Sequence, residues 1–291
     1  MSEAELILRS DGSAYHLGLL PGQVPPLILT VGDPDRVAAV SHHFDLVEQR
    51  VSKREFVSHL GRLAGRPILC LSTGIGTDNV DIALNELDAL VNVDLATRRP
   101  RAEPRRLTLV RLGTSGALQA DLAVDSLLVS SAAVGLDGLG PHYRFAEAPL
   151  ADALKATYPD WAAAAYGANA DGELADALLE LGAHAGNTLT CAGFYGPQLR
   201  SMRLAHGGPT LPALAVWRGV GQRLDNFEME TAGIYGLAGL LGHRAVSVSV
   251  LLANRLTGEF SADPAGAVQN LIARVIGELR RYPARWWGEG R

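Results

Sequence analysis

Residues 107–116 read LTLVRLGTSG. Leu107–Leu112 is a short apolar run that ends in glycine and hydroxyl residues, the pattern of a buried strand delivering polar groups at its tip. Inside the run stands Arg111. An arginine in an otherwise apolar strand is costly to bury unless it meets an anion or a carboxylate. Both partners are open on the sequence alone. One is a bound oxyanion, with Thr114, Ser115 and the glycine N–H groups as further donors. The other is an internal Asp or Glu.

On either side the same kind of run recurs. Pro26–Val31 (PLILTV), Pro67–Ser72 (PILCLS), Ser126–Ser131 (SLLVSS), Thr188–Ala192 (TLTCA) and Ala245–Leu252 (AVSVSVLL) read as further buried strands. Asn79–Ala96 spaces its apolar residues three or four apart, as a helix does, and Glu228–Leu241 and Ala265–Arg280 also read as helices. Strand and helix alternate along the whole length, so the expectation is one layered α/β domain over residues 1–291. Thr97–Arg106 (TRRPRAEPRR), with two prolines, reads as a solvated linker, and Leu204–Pro212, with its HGGP, as a flexible segment.

Composition removes several function classes. The 291 residues carry 26 Lys plus Arg against 31 Asp plus Glu, a formal net charge of -5 that argues against a general nucleic-acid binder. No apolar run has the ~20 residues of a membrane span, and the acidic N-terminus does not resemble a signal peptide; a cytoplasmic protein with no membrane partner is expected. Cys70 and Cys191 form no CxxC pair, so neither a disulfide framework nor a cysteine metal site is indicated. Lysine occurs only as Lys53 and Lys155, neither preceded by glycine, which rules out a Walker A loop. No Gly-x-Ser-x-Gly elbow or His-Glu-x-x-His occurs, so no covalent nucleophile or catalytic zinc is expected.

Polar residues collect where the strands end, which is where open α/β sheets bind ligands. After the first strand comes Gly32-Asp33-Pro34-Asp35-Arg36, suited to an anion at a helix start but equally to an ordinary cap with Asp33 at N-cap and Pro34 at N1. Ser72-Thr73-Gly74-Ile75-Gly76-Thr77-Asp78-Asn79 has a Gly-x-Gly but lacks the third glycine of a dinucleotide fingerprint. Gly193-Phe194-Tyr195-Gly196-Pro197-Gln198-Leu199-Arg200 joins an aromatic face to Gln198 and Arg200, a combination that suits a planar heterocycle or a plain surface turn. Asn226-Phe227-Glu228-Met229-Glu230-Thr231 reads as a helix start, with two carboxylates facing different ways, one free to chelate a diol.

In this order, with Tyr15-His16-Leu17-Gly18-Leu19 and Asn254-Arg255, the motifs VGDPDRV, KREF, STGIG, RLGTSGALQ, FYGPQLR and NFEMET resemble the nucleoside phosphorylase-I family, most closely its uridine phosphorylase branch. The resemblance implies a three-layer α/β/α fold with a central mixed, partly barrel-like sheet, and cleavage of a glycosidic bond by inorganic phosphate. It assigns Gly32, Arg36, Arg111 and Thr114 to phosphate, with Arg54 donated by a neighbouring subunit. It assigns His16 (from across a dimer interface), Met229 and Glu230 to ribose. Ser115, Gly116, Phe194, Gln198, Arg200 and Phe227 fall to the base. Arg111, Arg36, Arg200 and Gln198 are the catalytic set, no cofactor beyond phosphate as co-substrate is expected, and a homo-oligomer built from dimers, in the family commonly three, is implied.

In purine enzymes of the family the resemblance places an aspartate near Asn254; this chain has Asn254-Arg255 there, which, with the Gln198 and Arg200 pair, favours uridine. A purine or modified nucleoside remains an alternative, as does a sensor that binds nucleoside without turnover. Three departures from the family pattern stand out. Gly196-Pro197 is reversed, Asn92–Arg106 is longer, and Thr77-Asp78-Asn79 replaces Gly-Pro-Ser. In some relatives a serine at position 79, a glutamate matching Glu55 and the Ile75 carbonyl hold a monovalent cation between subunits; Asn79 puts that ion in doubt.

Overall fold

The structure is a computed structural model that describes residues 1–281 and 283–287. Its first half contains β1 (Leu27–Val31), α1 (Pro34–Ser41), β2 (Leu46–Lys53), β3 (Phe56–Leu63), β4 (Arg66–Ser72), α2 (Thr77–Asn92), β5 (Val93–Asp94), β6 (Arg99–Pro100), β7 (Thr108–Ala117) and β8 (Leu127–Leu136). Its second half contains α3 (Pro149–Thr157), β9 (Tyr166–Asn169), α4 (Gly172–Leu179), β10 (His184–Cys191), α5 (Leu211–Val216), β11 (Asn226–Glu228), α6 (Thr231–Leu240), β12 (Arg244–Asn254), α7 (Pro264–Arg281) and α8 (Pro283–Trp287).

One mixed sheet runs β11-β10-β8-β12-β7-β1-β4-β3-β2, with β9 on β8. Because β11 also pairs with β7, the five strands β7, β12, β8, β10 and β11 close into a ring, and β1, β4, β3 and β2 extend from it as an open sheet. The expected partly barrel-like sheet between helical layers is present. Its central strands are buried on both faces, so their side chains alternate between two cores. Leu27, Leu29, Val31, Val110, Leu112, Val246 and Val248 pack with α1, α4, α7 and α8. Ile28, Leu69, Leu71, Leu107 and Leu109 pack with α2 and α6.

Boundaries differ from the sequence reading in several places. Gly113–Ala117 is the second half of β7, not a loop after a strand: Gly113 to Ala117 pair with β12, and Gly116 and Ala117 also with β11. Asn226–Glu228 is a strand, and α6 begins only at Thr231. The hairpin of an exposed β2 and a mostly buried β3 carries no long apolar run in its sequence, so nothing in its residue pattern marks it as strand. Thr97–Arg106 is not all linker, since Arg99 and Pro100 pair with β5, and Arg98 ties down the N-terminal segment through the Ser2 and Leu6 carbonyls. Among the described residues no helix is long and apolar enough to cross a membrane.

Candidate active site

Arg111 lies in the middle of β7, opposite Thr30 of β1 and Ser247 of β12. By alternation from Leu109 it faces the layer of α2 and α6, and the N-terminal ends of both helices converge on it. Its Nη2 donates to Glu230 Oε2 at 2.5 Å and lies 3.2 Å from Glu228 Oε2. Its Nη1 donates to Ser249 Oγ at 3.2 Å and Ser247 Oγ at 3.4 Å. Burial alone pushes a guanidinium pKa down, but the two carboxylates override it and hold Arg111 above its ordinary value. Glycine is required at position 113, because a Cβ there would run into the Arg111 guanidinium and stand 2.7 Å from Ser249 Oγ.

The two acids therefore do not diverge as residues on one helix would. Glu228 ends a strand, and its Oε2 accepts from the N–H of Glu230 at 2.9 Å and of Thr231 at 2.8 Å, closing the first turn of α6. Thr190 of β10 donates to its other oxygen at 2.5 Å. Glu230 Oε1 accepts from the Gly76 N–H at 2.8 Å, which joins the starts of α2 and α6 through one carboxylate. The internal-carboxylate partner left open for Arg111 is thus real, and it sits in the wall of a cleft.

That cleft, of about 1070 Å³, is lined by residues from both halves of the chain. Gly32 and Arg36 come from the end of β1 and the start of α1, where Asp33 caps the helix by accepting from the Asp35 N–H and Pro34 follows at N1. Cap and site are the same loop. Arg36 donates to the Leu112 carbonyl at 3.3 Å; burial, and then the charge of Arg111, lower its pKa. Arg111, Thr114, Ser115 and Gly116 of β7 continue the wall, and Ser115 Oγ is buried with no hydrogen-bond partner among the described residues. Phe227, Glu228, Met229 and Glu230 close one side. Phe194, Gln198 and Arg200 also line it. There Arg200 lies 3.7 Å from the Phe194 ring centre and donates to Gln198 Oε1 at 2.8 Å, so Gln198 keeps its Nε2 donor for a ligand.

Two predicted residues lie elsewhere. Arg54 is exposed at the β2–β3 turn with φ 52°, and His16 is fixed by Glu86, 2.6 Å from its Nδ1; neither lines the cleft. Other participants went unassigned in the sequence. Glu228, Thr190, Ser247 and Ser249 hold Arg111 and the α6 start, and Arg255 donates to the Gln198 carbonyl at 2.9 Å while lying 5.7 Å from the Phe227 ring centre.

A model of the phosphorylase superfamily matches residues 26–279. The chain belongs to that superfamily. It is 32% identical to a uridine phosphorylase of Thermococcus kodakarensis, over 97% of this chain and 91% of the relative. It is 29% identical to the uridine phosphorylase of Escherichia coli, over 94% and 98%. A Trypanosoma brucei nucleoside phosphorylase, whose crystal structure is described as showing uridine phosphorylase activity, superposes with a TM-score of 0.83 at 24% identity, covering 94% of this chain and 98% of that one. At that identity the superposition speaks for the fold.

Asn254, buried at the end of β12, is held by hydrogen bonds that an acid at this position would not make. Its Nδ2 donates to the Gln119 and Leu122 carbonyls, each at 2.9 Å, and its Oδ1 accepts from the Leu256 N–H at 3.0 Å. Asn254→Asp sets a buried carboxylate against two carbonyl oxygens, at a cost of about 1–3 kcal/mol or more. We expect it to lower the melting temperature by several degrees (~2–4 °C per kcal/mol) and to gain no turnover of inosine. A stable variant that releases hypoxanthine would overturn this view of position 254.

Proposed function

We propose that the protein catalyses the reversible phosphorolysis of uridine, transferring the ribosyl group from uracil to inorganic phosphate. The observation that carries this reading is the convergence of Arg36 and Arg111 with the Gln198 and Arg200 pair on one cleft. Arginine's planar fork suits phosphate. Gly32, Arg36, Arg111 and Thr114 would hold the dianion, Met229 and Glu230 the ribose, and Ser115, Gly116, Phe194, Gln198, Arg200 and Phe227 the base. A phosphate oxygen forms the bond to the sugar's anomeric carbon as the glycosidic C–N bond breaks, and uracil leaves with the electron pair. Held beneath the sugar, the dianion both attacks and stabilises the oxocarbenium character of the transition state. Gln198 and Arg200 stabilise charge that appears on the base only as the bond breaks. No covalent intermediate with the protein is needed.

His16 and Arg54 lie outside their own cleft, which supports a dimer in which each chain completes its partner's site; three such dimers in a ring is the assembly we propose. Incubation with uridine, with and without phosphate, tests the function. Uracil release that requires phosphate, together with ribose 1-phosphate, is the expected result. Release without phosphate, or turnover confined to purine nucleosides, would refute it.

A further inference from the structure

In the free protein the terminal N–H groups of Arg111 are already engaged. Nη1 donates to Ser247 and Ser249, and Nη2 is shared by Glu228 and Glu230. A dianion can take hold of this fork only if a partner lets go. Glu228 is the less free of the two acids, because its Oε2 also accepts from the Glu230 and Thr231 N–H groups and from the Thr231 hydroxyl. Among the described residues Glu230 Oε2 has no donor but Arg111, and Oε1 has only the Gly76 N–H. The charges facing Glu230 are Arg111 on β7, Glu228 on β11 and Arg36 on α1. The start of α2 brings the Gly76 N–H with Asp78 beside it, and Asp33, Glu55 and Glu259 line the same cleft. Two guanidiniums against two carboxylates leave this corner neutral, with no surplus positive charge to meet a dianion. Burial raises the Glu230 pKa, Arg111 opposes that rise and Glu228 adds to it. Drawing Arg111 toward an oxyanion weakens the one interaction that favours the charged acid.

We infer that a dianion binding among Arg36, Arg111 and Thr114 brings a proton with it, taken from solvent onto Glu230 Oε2, so that a repelling acceptor becomes a donor to the oxyanion. The inference rests on the proposed phosphate reading of this cleft. Isothermal titration calorimetry of the full chain with inorganic phosphate and with sulfate counts the protons, in buffers of different ionisation enthalpy and above the pH at which phosphate becomes a dianion. About one proton taken up per anion bound is expected, and with it an affinity that weakens on the order of tenfold per pH unit. Glu230→Gln, whose amide does not titrate, should bind either anion with no proton uptake and little pH dependence. Wild-type binding without uptake overturns the inference, whether or not the variant folds. So does a folded Glu230→Gln that keeps the wild-type proton count, since another group would then hold the proton, or one that binds neither anion, since the charged acid would then be no obstacle. The two readings fail differently. If neither anion binds to wild type, the phosphate site falls and this inference with it; binding without a proton removes this inference alone.

Discussion

Arg111→Ala and Arg36→Met are expected to abolish phosphorolysis alike and to part company in stability. Under the proposed reaction each removes one guanidinium from the phosphate-binding set, and loss of one such donor costs about 10²–10³-fold. Their surroundings differ. Arg111 is buried against Glu228 and Glu230, and its removal leaves two buried carboxylates uncompensated. Breaking a buried pair in this way costs about 3–5 kcal/mol. Arg111→Ala should therefore melt on the order of 10 °C below wild type, and its loss of activity has two causes. Arg36 has no carboxylate within ion-pair distance among the described residues, is lowered in pKa by burial and by the charge of Arg111, and makes one hydrogen bond, to the Leu112 carbonyl. Replacing it with an apolar chain of similar length relieves that repulsion, so Arg36→Met should melt at or above the wild-type temperature while losing turnover. That is the trade expected where a site holds charge for function at the expense of stability. Measuring uracil release and melting temperature on both variants separates the roles. Wild-type turnover in Arg36→Met would remove the phosphate site from this cleft.

The contrast explains what the sequence made legible. Strands such as Leu27–Val31 and Arg244–Asn254 declare themselves because burial on both faces demands runs of mostly apolar and small residues. The hairpin of β2 and β3 has mixed exposure and no such run. Arg111 was conspicuous because a charge in a buried strand needs an explanation, yet the sequence could not decide between anion and carboxylate. The structure contains the carboxylates within the cleft. What decides it is that Glu228 belongs to β11 and not to a helix, a matter of where three residues pair with β10 and β7. Long-range pairing of that kind leaves no local trace. Arg54 and His16 show the same limit from the other direction: the motifs name both residues, and neither lines the cleft of its own chain.

Arg200→Ala should reduce kcat/KM for uridine by about 10²–10³-fold, and the size of that loss should depend on the leaving group. In the free protein Arg200 has no carboxylate partner among the described residues. Burial and the neighbouring Arg255 guanidinium push its pKa down to about 10, the mark of a cation short of a counter-charge. The Phe194 carbonyl at 2.5 Å and Gln198 Oε1 at 2.8 Å supply dipoles but no net charge. An anion forming on the base answers that deficit, and it forms only as the glycosidic bond breaks, so the stabilisation falls on the transition state more than on bound uridine. A base carrying an electron-withdrawing substituent stabilises its own anion and needs Arg200 less. The loss measured with 5-fluorouridine should accordingly be smaller than with uridine, while the KM for phosphate stays near its wild-type value because Arg200 belongs to the proposed base subsite and not to the phosphate set. Equal losses on the two nucleosides would mean that Arg200 binds the base without responding to its charge, and the stabilisation of the leaving group would then have to come from Gln198 or Arg255.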